Sequence, residues 1–494
     1  MSHTGREAPR RPPRSRACRR SAASAFLAVA GLFPGSAAPA QEIDPARLRE
    51  TTRVLAHDSL EGRGTASRGE ERAARYLAER LAELGLVPLA AADDGFELPV
   101  PLVAFSTDRE AARLTIRVDG DTLVLEPPDF YHPGGAVPSF RDFSGSLLYG
   151  GPTPGALDAL EGLDLTGRVV LIGPPWDAIG EVETELLARG AAGALEAVPS
   201  AFYDRLRVVR GPTRFALRES VDDPVNQSAL PRVVIGPRAL TTLGLAGAVD
   251  TGGLPAAADL PETWIEVRQA VTAADTVARN VAALLPGTDP ARSSEIVMYV
   301  AHYDHVGFGE ATAGDSIWNG FVDNAAGTAM LLEIGRALAR DPPPRPVAFL
   351  FTTAEEQGLL GATWFVHRPP VPLAHIRAVV NLDGGSGPAG DDRWRISGPA
   401  DSRLRAVAAE ALRRRGAEVG EAPPEPTSDH WAFHAAGIPA FFFLPAELVP
   451  GAHPHTPDDE WSASFPFDGM VSYAQRALEL GRALSDPELD PDDP

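Results

Sequence analysis

Lysine is absent from this 494-residue chain: all 45 basic residues are Arg. That absence excludes a Walker-A phosphate loop, a lysine Schiff base and a serine–lysine dyad. Cysteine is nearly absent too. The one Cys, Cys18, lies ahead of the first apolar run, so the chain beyond it has no disulfide, thiol nucleophile or thiolate metal site. No G-x-S-x-G occurs, which argues against a serine hydrolase of the nucleophile-elbow type. Positive charge is also in deficit, with 67 acidic residues giving a net charge of −22, so nucleic acid and anionic membrane surfaces are poor partners. What remains for hydrolytic chemistry is carboxylates, histidines and a metal. With 44% hydrophobic and 23% charged residues the chain is globular, and its length allows two or three domains.

The amino terminus differs in kind from the rest. MSHTGREAPRRPPRSRACRR is Arg-rich, SAASAFLAVAGLF is apolar, and Ala38-Pro39-Ala40 offers a small-residue cleavage site. These are the three parts of a secretory signal peptide over residues 1–40, and the apolar run is too short to span a bilayer. The expectation is a secreted or periplasmic protein with no stable membrane anchor after cleavage. It would be exported by the general route or, given Arg10-Arg11 and Arg19-Arg20, by the twin-arginine one. Cleavage removes seven Arg and one Glu and takes the net charge from −22 to −28.

Apolar residues at three- and four-residue spacing in DPARLRETTRVLAHDSL and SRGEERAARYLAERLAELGL predict two amphipathic helices joined by EGRGTAS. Strands are expected from about Leu114, in LTIRV and TLVLE. Residues 164–198 read strand, loop, helix and strand, and PRVVIGPRALTTLGL repeats strand then helix. From Ala278 apolar strand-like runs alternate with helices, which predicts a largely parallel sheet with ligands gathered at the carboxyl ends of its strands.

Five residues of metal-ligand type stand at successive loop starts: His302 in AHYDH, Asp323 in GFVDNAAG, Glu356 in TTAEEQG, Asp383 in NLDGG and His455 in HPHTPDD. Imidazole and carboxylate suit zinc when thiolates are missing. Each has an ordinary alternative: Asp323 as a helix cap, Asp383 as a turn residue, His302 as a core histidine. Five together are harder to explain, because uncompensated buried acids are costly. The run FLFTTAEEQG ends on two adjacent carboxylates, Glu355 and Glu356, which would also suit the first turn of a helix. His305, His430 and His453 are alternative ligands, His453 the nearest competitor of His455.

AHYDHVG, GFVDNAAGTA, TTAEEQGLLG, NLDGG, SDHWAF and HTPDD, in this order between Ala278 and Arg482, resemble the M28-type zinc peptidase family. That family holds both bacterial leucine-type aminopeptidases and glutamate carboxypeptidases. HDSLEGRGTASRGEERAARYLAERLAELGL is similar to its amino-terminal lead-in, and residues 130–262 resemble a protease-associated (PA) domain. The resemblance implies an α/β zinc-exopeptidase fold: a mixed, largely parallel sheet flanked by helices, with an inserted, strand-rich PA-like domain. The division expected is 1–40 signal peptide, 41–129 amino-terminal part of the peptidase domain, 130–262 insert, 263–486 main peptidase domain and 487–494 acidic tail.

For the site, the resemblance implies two zinc ions per chain bridged by Asp323. One ion would also be held by His302 and Asp383, the other by Glu356 and His455. Glu355 would be the general base and Asp304 the partner that orients His302. Asp429 and His430 would sit beside the site or in a substrate pocket; Trp318, Trp431 and Phe433 would line that pocket or pack the core. One departure matters: the aromatic residue common shortly before the last histidine is Pro454 here, which offers no hydroxyl to an oxyanion.

The expected function is removal of N-terminal amino acids from peptide substrates. The alternative is a carboxypeptidase or dipeptidase of the same family, with Arg210 and Arg214 as candidate carboxylate anchors. Less favoured are a one-zinc glutaminyl cyclase and an inactive binding protein.

Overall fold

The computed structural model describes residues 42–89, 95–133, 139–174, 179–203, 213–223, 229–252, 260–312, 314–400, 402–449, 454–486 and 488. The signal-peptide reading of residues 1–40, Cys18, Arg210, His453 and nearly all of the acidic tail lie outside the described residues.

The two helical patterns near the amino terminus are realised as α1 (Pro45–Leu55) and α2 (Arg68–Glu83). Asp44 caps α1 by accepting from the Ala46 amide, with Pro45 fitting the first turn, and Ser67 caps α2 by accepting from Glu70. Between them Arg63 is fully buried, and its guanidinium donates to the carbonyls of Leu55, Tyr303, Asn319 and Gly320. A charge survives there because four of its five N–H donors meet a carbonyl.

A ten-stranded sheet forms the body. In chain order its strands are β1 (Val87–Pro88), β2 (Glu97–Thr107), β3 (Thr213–Leu217), β4 (Val271–Leu285), β5 (Ile296–His302), β6 (Val347–Thr352), β7 (Ile376–Asn381), β8 (Arg393–Ser397), β9 (Glu418–Ala422) and β10 (Ala440–Pro445). The spatial order is β9-β8-β10-β7-β5-β6-β4-β2-β3, with β1 paired to β4. The central strands β10, β7, β5 and β6 are mutually parallel. Antiparallel pairs β4–β6, β4–β2 and β2–β3 extend one side. Strands β5 and β6 read as apolar runs up to their last residues, and β7 does so after Arg377, because helices cover both faces. One face packs α1, α2, α3 (Ala326–Arg340) and the last helix, Phe467–Leu484, and the other packs α4 (Leu360–His367) and His430–Ala435.

Strands begin earlier than the sequence suggested. Residues 97–107 form an eleven-residue strand despite Pro99 and Pro101. Both prolines lie in the half of β2 that β3 leaves uncovered, since β3 pairs only with Leu102–Ser106, and there the missing amide hydrogens cost no ladder bond.

A second, eight-stranded sheet takes strands from 113–125, 130–131, 143–152, 169–173, 193–197, 232–235 and 263–268, around its own apolar core. Residues 213–217, inside the stretch read as an insert, belong instead to the edge of the larger sheet. Among the described residues no helix is long and apolar enough to cross a membrane.

Candidate metal centre

Strand register brings the polar residues together. His302 pairs with Thr352, and Val300 with Asn381, so β5 and β6 end at one level and β7 ends two residues short of it. Just past those ends come Asp304, the Glu355-Glu356 pair and Asp383, as expected at the carboxyl edge of a parallel sheet.

Asp323 lies in the turn Phe321–Ala325 ahead of α3, with a cis peptide to Asn324. Its position is over-determined. Asp459 accepts from the amides of Val322 (2.8 Å) and Asp323 (3.1 Å), and Asn324 donates to the Leu382 carbonyl while accepting from Gly327. Burial raises the Asp459 carboxyl to about 6.

The two glutamates do not open a helix. Helix α4 starts at Leu360, and residues 353–359 form a turn in which Gly358 and Leu359 donate to the Glu355 carbonyl. Ala354 just before the pair has φ +52°, a left-handed conformation costing a non-glycine residue about 1–3 kcal/mol. The two residues that follow have different partners. Glu356 lies 3.0 Å from His455 Nε2 and 2.8 Å from His305 Nδ1. The Glu355 amide donates to Asp304 Oδ1 at 3.1 Å. Burial raises Glu355 well above the ordinary carboxylate range, with Asp383, Glu356 and Asp429 adding to the rise and His302 opposing it. For Glu356, burial and Asp323 push upward, yet His455 and His305 hold it at about 2.

Two clusters of donors share one residue. His302 Nε2 lies 3.2 Å from Asp323 Oδ1 and 3.2 Å from Asp383 Oδ1. His455 Nε2 lies 2.9 Å from the other Asp323 oxygen and 3.0 Å from Glu356. Donors around a tetrahedral zinc at about 2.0–2.1 Å stand ~3.3 Å apart, so each cluster has the spacing and donor chemistry to hold one such ion. The field agrees. Despite burial, the carboxylates raise His455 to about 11 and His302 well above its usual value, which marks a place that draws in positive charge.

All five expected ligands therefore fall into two clusters that share Asp323, and His305 joins the Asp323–Glu356–His455 group. Asp304 is fully buried, with its carbonyl 3.2 Å and its carboxylate 3.6 Å from His302 Nδ1. It thus ties His302 to the Glu355 backbone. Thr352 donates its hydroxyl to Asp429, which burial raises to about 7. His430 stacks on Phe442 and is in neither cluster. Trp318 and Phe433 are buried, Phe433 against Phe365, while Trp431 is partly exposed beside His434. Arg214 lines a small cavity with Arg109, His132 and Gln269 that contains none of the clustered donors.

Sequence reasoning missed Arg63, Asp459 and Glu70. Asp459 stood in the quoted HTPDD, but nothing local marks it as the acceptor for residues 137 positions away. Glu70 sits on α2 yet accepts from the Ala66 amide and the Thr353 hydroxyl beside the centre. Burial raises its carboxyl to about 8 from 4.5. Between those values the folded protein holds a proton that the unfolded chain releases, so this contribution is lost as pH rises through the window. In metal-free protein, Glu70→Gln is expected to gain at least about 1.4 kcal/mol over wild type between pH 5 and pH 8, read from urea unfolding midpoints. An unchanged difference would mean that Glu70 is ionised in the fold.

Comparison with known proteins bears on this architecture. Residues 280–479, which hold every clustered donor, match the family model described as Peptidase family M28. The chain carries an M28 peptidase domain. Aminopeptidase YwaD of Bacillus subtilis is 30% identical to this chain over 174 residues, 33% of this chain and 36% of that protein. The chain thus aligns with about a third of the length of the curated relatives it matches. Beyond the M28 domain the likeness is one of fold. An aminopeptidase from Aneurinibacillus sp. strain AM-1 superposes with a TM-score of 0.59 at 19% identity, over 90% of this chain and 93% of that one. The zinc aminopeptidase BSAP of Bacillus subtilis gives 0.54 at 18% identity, over 90% and 94%.

Proposed function

We propose that this chain is an exported di-zinc aminopeptidase, with residues 1–40 as its signal and the second sheet as an inserted accessory unit. The observation that carries the aminopeptidase reading is the charge around the centre. Asp304, Asp323, Glu355, Glu356, Asp383, Asp429 and Asp459 gather there, while the guanidinium in their field, Arg63, is buried and engaged with four backbone carbonyls. Two zinc ions would offset Asp323, Glu356 and Asp383, and Asp304, Glu355, Asp429 and Asp459 then remain to favour a substrate's terminal ammonium over its terminal carboxylate.

His302, Asp323 and Asp383 would hold one ion and Asp323, Glu356 and His455 the other. Two zinc ions bound there would supply a water of lowered pKa and polarise the scissile carbonyl. Glu355 accepts the proton from the attacking water and returns it to the leaving amine. A carboxylate raised by burial suits that task, since it must take up a proton and release it. Asp304 keeps His302 and Glu355 in register. The likeness to YwaD and BSAP, an aminopeptidase and a zinc aminopeptidase, supports the same reading.

The test sets an amino-acid arylamide beside an N-blocked dipeptide. Cleavage of the arylamide, abolished by chelator, and no cleavage of the blocked peptide is the expected result. The reverse preference would make the protein a carboxypeptidase or dipeptidase, and activity retained after complete metal removal would overturn the mechanism.

A further inference from the structure

His305, three residues beyond His302, has a fully buried side chain, and neither of its ring nitrogens makes a well-aligned hydrogen bond among the described residues. Burying an imidazole in that state is costly unless something else takes up its lone pair. The ring is also held in place. A Cβ built on Gly320 would fall 2.4 Å from His305 Cγ, so only a glycine at 320 leaves room for the ring where it stands. The His305 amide donates to the Arg63 carbonyl, and the Arg63 guanidinium in turn grips the carbonyls of Tyr303, Asn319 and Gly320. The wedged ring aims Nδ1 toward Glu356, and its donor atom falls within 4.8 Å of those of Asp323, Glu356 and His455.

The geometry points to His305 as a fourth protein donor on the Glu356–His455 side, making the two halves of the centre unequal and that half the tighter for zinc. This rests on the two-metal reading above. One half then offers two imidazoles and two carboxylates, the other one imidazole and two carboxylates. Imidazole nitrogen suits zinc, so the first half fills at lower zinc concentration. The simpler role, a hydrogen bond that only orients Glu356, makes a different forecast. A Gln side chain can still donate to Glu356, whereas a Cys thiolate can still bind metal.

The experiment titrates Zn2+ into chelator-stripped wild type, His305→Gln and His305→Cys against a competing chromophoric chelator, with circular dichroism confirming the fold of each. Wild type is expected to show two sites of unequal affinity. In His305→Gln the tighter site should weaken by at least about 10-fold, the scale of losing even an outer partner of a ligand. His305→Cys should recover most of that loss and, loaded with Co2+, show a thiolate-to-cobalt charge-transfer band in the near ultraviolet. Unchanged zinc affinity in His305→Gln, or a folded His305→Cys without that band, overturns the assignment. Wild type that binds fewer than two Zn2+ per chain fails at an earlier step, because it overturns the two-metal reading itself.

Discussion

Glu355→Gln is expected to lower kcat by about 10²–10⁴-fold while leaving zinc content and fold unchanged. The amide is isosteric with the carboxylate, and the backbone of residue 355 stays anchored through its amide to Asp304 Oδ1 at 3.1 Å. Glu355 is also outside both donor clusters. What the substitution removes is the capacity to take a proton. The burial that raises Glu355 makes this group the one in the adjacent pair suited to shuttle protons, whereas Glu356 is held at about 2 and stays ionised. Metal content by emission spectroscopy and steady-state kinetics on an arylamide decide the matter. A fall of less than tenfold would remove Glu355 from the chemistry, and loss of zinc in the variant would make it a ligand.

Asp323→Ala should abolish activity and reduce zinc binding at both positions together. Its two oxygens face different partners, Oδ1 toward His302 and Oδ2 toward His455, so it is the residue common to both clusters. Asp383→Ala, by contrast, touches only the His302 cluster and should leave the other half able to bind. Thermal unfolding separates the two. At a zinc concentration 100 times the dissociation constant, binding stabilises the folded state by ~2.7 kcal/mol. Wild type stripped with chelator should therefore regain a higher Tm with zinc, Asp383→Ala should keep much of that rise, and Asp323→Ala should keep less of it, only what His305, Glu356 and His455 hold by themselves. An Asp323→Ala protein that still binds two ions would show that the clusters do not share a bridging carboxylate.

Several features were legible in the residues alone because their causes are local. The helices 45–55 and 68–83 follow from apolar spacing with Asp44 and Ser67 as caps. His302, Glu356 and Asp383 could be singled out because each stands just past an apolar run that becomes a buried central strand. The strand at 97–107 was not legible, since two prolines argue against a strand until its uncovered edge is known.

Tertiary structure alone decided how the neighbours of the centre divide their roles. Glu355 and Glu356 are adjacent and chemically alike, and only the folded chain sets Glu356 beside His305 and His455 while Asp304 holds the Glu355 amide. His302 and His305 share one short segment, yet the fold places the first beside Asp383 and the second, packed against Gly320, beside Glu356. Arg63, Glu70 and Asp459 act on residues 240, 283 and 137 positions away. Periodicity and local turn chemistry act within a few residues, so contacts closed over such distances leave no mark in the sequence near either partner.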